Sequence, residues 1–536
     1  MAAGLSDSQI EREVIDNDLD NESDSSVQES DTDSESDLDD DGTFPLNPAW
    51  SAQLQPPTVI PFTKQNELLV PTPRENKPVD WFLLLVDDQL LESIVADTNR
   101  YAFDLFFGPS TEPRSRIHRW KDLTLDELKK FIGLLLHTGT FKLNRLNDYW
   151  KTHRMFNLNC FRDHMSRDRF LIILRCIHFS HHQNVAQGVQ EDRLSKVRML
   201  VDHFNKKMDD VYYPGKELSL DEAMVLWRGR LIFRQYIKGK RHKYGIKLYT
   251  LCEPGGLILR FLVYSGSLSD LGGKGHATKV VLHLMRGKLN HGHSLYMDNF
   301  YNSFPLAYQL LRKKTYCTGT LRADRKYLPD EVKSAKVKKG ETIARSAEQV
   351  TVAKWKDKRV VTYITTEFEN NMVESRNRHR VARVKPLPIV KYNTFMKGVD
   401  RADQMLAYYP CERKTLRWYK KIFVHIMQMA LVNALKLYNL SNPQETMNLY
   451  DFRLAVIESL VPEKELQAPE RPRRSNEKAL HVVSLIEGKD NRNRQKRKRC
   501  RVCHSEGREK RTAYFCAQCP GEPSLCPVAC FEKHHA

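Results

Sequence analysis

No stretch of the 536-residue sequence stays apolar for long enough to cross a membrane. The longest uncharged apolar-rich run, residues 422–435, has 14 residues and includes His425 and Gln428, whereas a spanning helix needs about 18 or more. No membrane partner is expected. The opening residues, MAAGLSDSQIEREVIDND, lack the basic start and apolar stretch of a secretory signal. A reducing compartment is therefore expected, in which the 11 cysteines serve as thiols or metal ligands. The length and the 41% of hydrophobic residues exclude a small disulfide-stapled module and a mostly disordered chain.

Positive charge is almost missing from residues 1–42, where Arg12 stands against 16 Asp/Glu for a local charge of −15. With Ser interleaved, as in SDSSVQESDTDSESDLDDD, such a segment cannot bury a core and is expected to be disordered. Removing it from the whole-chain +18 leaves +18 − (−15) = +33 on the other 494 residues. A surplus of that size points to a polyanionic partner, nucleic acid first, with plain solubility as the competing reading.

Periodicity divides the rest of the chain. Residues 43–75 are Pro-rich and unpatterned (QPPTVIPF, VPTPRENKP), so 1–76 reads as a disordered acidic N-terminus and an extended linker. From 77 to 215 the apolar spacing is helical, with Thr124 and Glu127 placed as a capping box. From 216 to 325 the order is strand, strand, strand, helix, strand, helix, strand, with Pro254-Gly255-Gly256 as a hairpin turn, which predicts a mixed α/β sheet. Residues 326–387 read as a small β-rich insertion, and 388–410 as the end of the sheet domain with the helix VDRADQMLAYY. A second helical part at 411–465 contains a long amphipathic helix. Residues 466–499 read as a charged linker and 500–536 as a cysteine-rich unit.

Position in that order singles out three of the 67 acidic residues. Asp221 is placed at the end of the first strand (LSLDEAM), Asp298 at the end of the fourth (SLYMDNF), and Asp400 opens a later helix (KGVDRADQM). This is the placement that brings three acids together in an RNase H-like sheet. Clustered carboxylates repel one another unless a cation lies among them. An all-oxygen set suits Mg2+ or Mn2+, which support cutting and joining of phosphodiesters. The plain alternatives are a surface cap at Asp221, an Asx turn at Asp298 with Asn299, and a first-turn helix acid at Asp400.

Six of the 11 cysteines fall in the last 37 residues, as Cys500-x2-Cys503-x12-Cys516-x2-Cys519-x6-Cys526-x3-Cys530-x3-His534-His535. This spacing favours two Zn2+ ions in an interleaved, cross-brace finger, Cys500 and Cys503 on one ion and Cys516 and Cys519 on the other. The eighth ligand is open among His504, His534 and His535. Arg471, Arg473 and Arg474, with Arg492, Arg494, Lys496, Arg497, Lys498 and Arg499, read as a bipartite nuclear import signal or a phosphate-binding arm. Lys238, Lys240, Arg241 and Lys243, flanked by Tyr236 and Tyr244, are candidate phosphate contacts, with an exposed hairpin as the alternative. So are Arg413, Lys414, Arg417, Lys420 and Lys421 around Trp418, with core packing of Trp418 as the alternative.

LSLDEAM, YMDNFYNS and above all YNTFMKGVDRADQMLAYYPCERKTLRWYKKIF resemble the piggyBac family of cut-and-paste DNA transposases, over a stretch from about residue 77 to the C-terminus. The resemblance implies a catalytic triad of Asp221, Asp298 and Asp400, Asp403 as a further carboxylate, Trp418 as a nearby aromatic, and a cysteine-rich domain that contacts the transposon ends. It also implies recognition of terminal inverted repeats in double-stranded DNA, a freed 3′-OH and a hairpin at each end, and insertion at TTAA. The need to synapse two ends suggests a homodimer, with the helical parts 77–215 and 411–465 forming a DNA-binding and dimerisation domain that supplies the interface, and the setting would be the nucleus. The sequence departs from the family pattern at Lys397, which precedes Gly398 where a second glycine is usual. The alternatives from other classes are a domesticated relative that binds DNA or chromatin without transposing, and a RING-like ubiquitin ligase.

Overall fold

The computed structural model describes residues 48–108, 115–180, 192–237, 243–266, 271–376, 382–415, 417–463 and 481–535. The expected acidic tail, the basic residues Lys238, Lys240 and Arg241, and the cluster Arg471, Arg473 and Arg474 lie outside them. Two compact units divide between Glu463 and Lys464.

The first unit opens with helices α1 (Pro78–Leu85), α2 (Asp88–Phe107), α3 (Leu125–Thr140), α4 (Asn159–His164), α5 (Arg167–Cys176) and α6 (Arg198–Val211). Thr124 caps α3 by accepting from the Glu127 N–H at 3.2 Å. The Glu127 carboxylate turns instead to Arg169, at 2.6 and 2.7 Å, so only half of the expected capping box forms. Residues 48–76, expected as part of the linker, are extended but docked. Ser51 bridges to Ser346, the Tyr316 hydroxyl donates to Thr58 O at 2.7 Å, and Asn76 donates to Asn442 at 2.6 Å.

A mixed sheet follows. β1 (Glu67–Leu68) and β2 (Tyr212–Tyr213) form a separate short ladder. The main strands are β3 (Glu217–Leu226), β4 (Gln235–Tyr236), β5 (Tyr244–Cys252), β6 (Ile258–Val263), β7 (Ser294–Met297), β8 (Tyr316–Thr320), β9 (Thr342–Ala347), β10 (Val350–Lys356) and β11 (Val360–Thr365). Their order is β4-β5-β3-β7-β8-β11-β10-β9, with β6 also paired to β5. β3 runs antiparallel to β5 and parallel to β7, and β7 parallel to β8. The parallel pairs require crossovers, supplied by α7 (His276–Leu284) and α8 (Phe304–Arg312). Within the residues expected as a small β insertion carried by the sheet domain, β9–β11 extend the main sheet itself. β11 pairs along β8, from Tyr363 opposite Thr320 to Thr365 opposite Thr318, and covers what would otherwise be an exposed strand edge. Among the described residues, the short α9 (Asp330–Ser334) and the antiparallel pair of β12 (Met372–Arg376) with β13 (Ala382–Pro386) stand off it.

After α10 (Leu387–Phe395) and α11 (Gly398–Tyr408), the long α12 (Trp418–Ser441) and then α13 (Leu449–Leu460) complete the unit. α12 is buried almost all round from Tyr419 to Tyr438, which accounts for the uncharged run in the sequence as a core helix. Among the described residues no helix is long and apolar enough to cross a membrane. Asn433, fully buried, donates to Ile258 O at 2.7 Å and accepts from Ile258 N at 3.0 Å, so α12 is stitched to the sheet. The helices and the sheet share one continuous apolar core.

The second unit begins to be described at His481, inside what the sequence predicted as linker. β14 (Val483–Leu485) pairs with β17 (Tyr514–Cys516), and β15 (Lys498–Arg499) with β16 (Arg511–Thr512), flanked by α14 (Arg501–Ser505) and α15 (Ala529–His535). Its buried core consists of Cys500, Val502, Cys503, Cys516, Leu525, Cys526 and Cys530. Two aliphatic side chains among five thiols are too little apolar surface to hold a fold alone.

Candidate active site and cysteine–histidine centres

Asp221 lies in the middle of β3 and not at its end as the sequence suggested, because β3 continues to Leu226 against β5. Its special position comes from the other neighbour. The parallel ladder of β3 with β7 runs from Glu217/Ser294 to Leu220/Met297, so Asp221 and Asp298 are the next residues in register. The motif YMDNFYNS builds the turn after β7. Asp298 Oδ1 accepts from Phe300 N at 2.9 Å, so the Asx turn weighed as the plain alternative for this residue does form. Asn302 donates to Met297 O at 2.8 Å and to Thr320 O at 2.9 Å, locking the ends of β7 and β8 together. Ser303 caps α8 by accepting from Leu306 N. Gly319 is required here, since a Cβ would lie 1.8 Å from Met297 O.

Carboxylate oxygens of Asp221, Glu222 and Asp298 lie within 4.8 Å of one another. Glu222 was not singled out in the sequence. It is buried at 7% exposure, with Lys247 Nζ 3.8 Å away and that ammonium 4.3 Å above the Phe300 ring. Asp221 and Asp298 are half-buried.

Asp400 lies outside this 4.8 Å group, exposed in the first turn of α11. α11 packs on the β3 face that carries Ser219, and strand alternation puts Asp221 on that face too. A Cβ at Gly398 would lie 2.2 Å from Ser219 Oγ and 2.5 Å from Glu253 O. The glycine directly before Val399-Asp400 is thus the one the packing demands, while Lys397 is exposed and needs none. Tyr392 on α10 is pushed up to about 12, chiefly by burial, and it feels the charges of Asp298, Asp221 and Asp400 together. Asp403 is half-buried, and after burial its charge is the strongest influence raising the Cys252 thiol, to which Asp221 also contributes.

The expected basic contacts fare unequally. Lys420 is a correction: it is 5% exposed and donates to Arg175 O at 2.6 Å, so it ties α12 to α5 and does not face solvent. Arg413 donates to Leu143 O at 2.8 Å and lies 5.0 Å from the Tyr149 ring centre, which makes it largely a tether. Arg417 and Lys421 are half-buried, whereas Lys414 and Lys243 are exposed. Trp418 packs on the core, 5.2 Å edge-on from Phe233.

In the second unit two tetrads form. Cys500, Cys503, Cys526 and Cys530 make one, and His481, Cys516, Cys519 and His535 the other. The pairs alternate along the chain, as a cross-brace requires. Cys503 Sγ lies 3.5 Å from Cys530 Sγ and 4.0 Å from Cys526 Sγ, close to the roughly 3.8 Å edge of a tetrahedron with Zn–S bonds of about 2.3 Å. Cys519 Sγ lies 3.4 Å from His481 Nδ1 and 3.2 Å from His535 Nε2. The donor sets therefore fit zinc. Of the three histidines left open, His535 joins a tetrad. His534 belongs to neither, and His504 contacts Arg499 at 3.1 Å. His481, 19 residues before Cys500, had no spacing signal. Arg492, Arg494, Lys496, Arg497, Lys498 and Arg499 are exposed on this folded unit, with Lys498 and Arg499 in β15.

The fold and the sites define a multidomain α/β protein with a zinc-finger-type C-terminal unit. The family described as Transposase IS4 matches residues 77–435, and the DDE_Tnp_1-like zinc finger matches residues 486–536. PiggyBac transposable element-derived protein 2 of Homo sapiens is 26% identical over 81% of this chain and 73% of its own length, and protein 3 is 25% identical over 82% and 74%. The fold is similar to that of piggyBac transposase in a synaptic complex with hairpin DNA, with a TM-score of 0.64 and 24% identity over 87% of this chain and 99% of that one. The chain belongs to the piggyBac transposase family.

Proposed function

We propose that the chain is a metal-dependent cut-and-paste DNA transposase with Asp221, Asp298 and Asp400 as its catalytic acids. It would recognise terminal inverted repeats, excise through hairpin ends and integrate at TTAA. The observation that carries this reading is the meeting of Asp221, Glu222 and Asp298 within 4.8 Å at adjacent parallel strands. The order β6-β5-β3-β7-β8, three antiparallel strands followed by two parallel ones, supports an RNase H-like core.

Three carboxylates this close disfavour one another's charged forms, and a hard divalent cation relieves that repulsion. Bound there, Mg2+ or Mn2+ would stabilise the attacking and leaving oxygens of a phosphodiester. Asp221 and Asp298 would hold it from the neighbouring strands β3 and β7, whose spacing is fixed by their parallel ladder, while the Asn302 clamp holds the end of β7 to β8. Asp400 would approach from α11, seated by Gly398 on the same face of β3. Tyr392 stays a neutral hydroxyl beside these acids across the physiological range. Two Zn2+ ions in the finger, nuclear localisation through its exposed basic residues, and action as a homodimer on double-stranded DNA belong to the same proposal.

Excision of a donor plasmid carrying the cognate ends tests it. Asp298→Asn or Asp400→Asn should reduce excision by about 100-fold or more while leaving DNA binding in place. A variant that still excises removes that residue from the active site. The names of the human relatives, transposable element-derived proteins, favour a second reading as a domesticated DNA-binding protein. In that case the wild type would bind DNA and yield no repaired TTAA donor.

A further inference from the structure

Glu222 is the carboxylate of the clustered group that the proposed triad leaves without a task, and an ammonium stands beside it. Lys247 Nζ lies 3.8 Å from Glu222 Oε1, with the two side chains 11% and 10% exposed. We propose that Lys247 is a positioning residue that holds Glu222 back from the divalent cation, so that the aspartates bind it with coordination positions left open for phosphate oxygens. The proposal rests on the cation site argued above and gives the Glu222–Lys247 pair a role within it.

The pair is built into the sheet. Strand alternation puts Glu222 on the face of β3 opposite to that of Asp221, directly across from Tyr249 of β5, and Lys247, two residues before Tyr249, shares that face. The ammonium lies 4.3 Å from the ring centre of Phe300 and 4.7 Å from that of Tyr249, two rings only 15° from parallel. Ring faces attract an ammonium without neutralising it, so its charge stays available to Glu222. Both rings are themselves fixed. Phe300 N donates to Asp298 Oδ1 at 2.9 Å, and the Tyr249 hydroxyl lies 2.6 Å from Nε2 of His276, the first residue of α7. The turn that carries Asp298 therefore also carries one wall around the lysine. A Glu222 carboxylate oxygen still comes within 4.8 Å of those of both aspartates, close enough for it to join the cation if released. A third carboxylate would take a position that substrate needs, since Mg2+ at phosphoryl-transfer sites uses one or two carboxylates and keeps the rest for water and phosphate. A buried carboxylate that loses its ammonium is an uncompensated charge, and the cation is then its nearest relief.

The experiment titrates Mn2+ into the full zinc-loaded chain, reading affinity by electron paramagnetic resonance and the number of Mn2+-bound waters by proton relaxation. Lys247→Met should tighten Mn2+ binding by about 10-fold and lower the water count, because Glu222 becomes a ligand. Lys247→Met combined with Glu222→Gln should return both readings to wild type, and Lys247→Arg should leave both as they are. Lys247→Gln takes the place of the methionine variant if Tm shows that the latter does not fold. An unchanged water count in the Lys247 variant overturns the proposal, whatever the affinity does. So does a drop that persists in the double variant, since Glu222 is then not its source. A merely structural lysine would lower Tm and leave the hydration of Mn2+ alone. The cation site is scored separately. Saturable uptake that Asp221→Asn and Asp298→Asn leave intact defeats that reading and this one with it, whereas uptake that they weaken, with no response to Lys247→Met, defeats this proposal alone.

Discussion

The carboxylates of the sheet and the thiols of the finger are both candidate metal ligands, but they are held in place by different things. Asp221 and Asp298 belong to strands embedded in a core that runs from α1 to α13, and their register is set by the backbone ladder of β3 with β7. The finger has almost no core apart from its ligands. The first site is a product of the fold, whereas the second fold is a product of its site. Metal removal should therefore separate the two units sharply.

The largest expected effect follows from that contrast. Chelation of zinc should unfold residues 481–535 and leave the first unit's amide protection intact, since structural zinc in finger peptides supplies about 10–16 kcal/mol. Protection of the finger that survives complete zinc loss would break the comparison. His481→Ala should lower the zinc content from two ions per chain to one, read by elemental analysis, while His534→Ala should retain both. The opposite result would reassign the second tetrad.

A smaller effect probes how the fold builds the carboxylate site. Gly398→Ala places a methyl 2.2 Å from Ser219 Oγ and 2.5 Å from a backbone oxygen. It should cost about 1–3 kcal/mol, seen as a lower Tm of the first unit, and should reduce excision further by shifting Asp400. An unchanged Tm would mean that α11 does not rest on β3 as described. The smallest effect is in acid. Burial opposes the Glu412 charge, but the contact with His425 at 3.0 Å, helped by the nearby Gln428 amide, outweighs it and brings the carboxyl down to about 2. A carboxyl depressed in the folded state contributes stability above its unfolded value of about 4.3, and loses it as pH falls towards 2. Tm measured at pH 5, 4 and 3 should thus fall less steeply in Glu412→Gln than in the wild type. Parallel curves would remove the pair from the acid response.

What the sequence made legible follows the same division. Local patterns read well. The strand–helix order of 216–325, the turn at Pro254-Gly255-Gly256 and the alternating cysteine pairs all rest on neighbours close in sequence. The misreadings are long-range. β9–β11 read as an insertion carried by the sheet domain, but no local pattern signals that β11 pairs along β8 and completes its edge. Lys420 looks like a phosphate contact because a lysine reads as exposed, yet its ammonium finds Arg175 O across the core. Glu222 has no signal, since an acid next to Asp221 is expected on the other face of a strand. His481 joins its tetrad only because β14 pairs with β17 and carries it beside Cys516.

The most direct test of the central claim, that the sheet presents a preassembled site for a divalent cation, is Mn2+ binding to the zinc-loaded chain followed by electron paramagnetic resonance. Wild type should take up Mn2+ with a saturable site that Asp221→Asn and Asp298→Asn each abolish or weaken by about 10–100-fold, with the finger's zinc unchanged. Equal Mn2+ uptake by wild type and both variants would contradict the account.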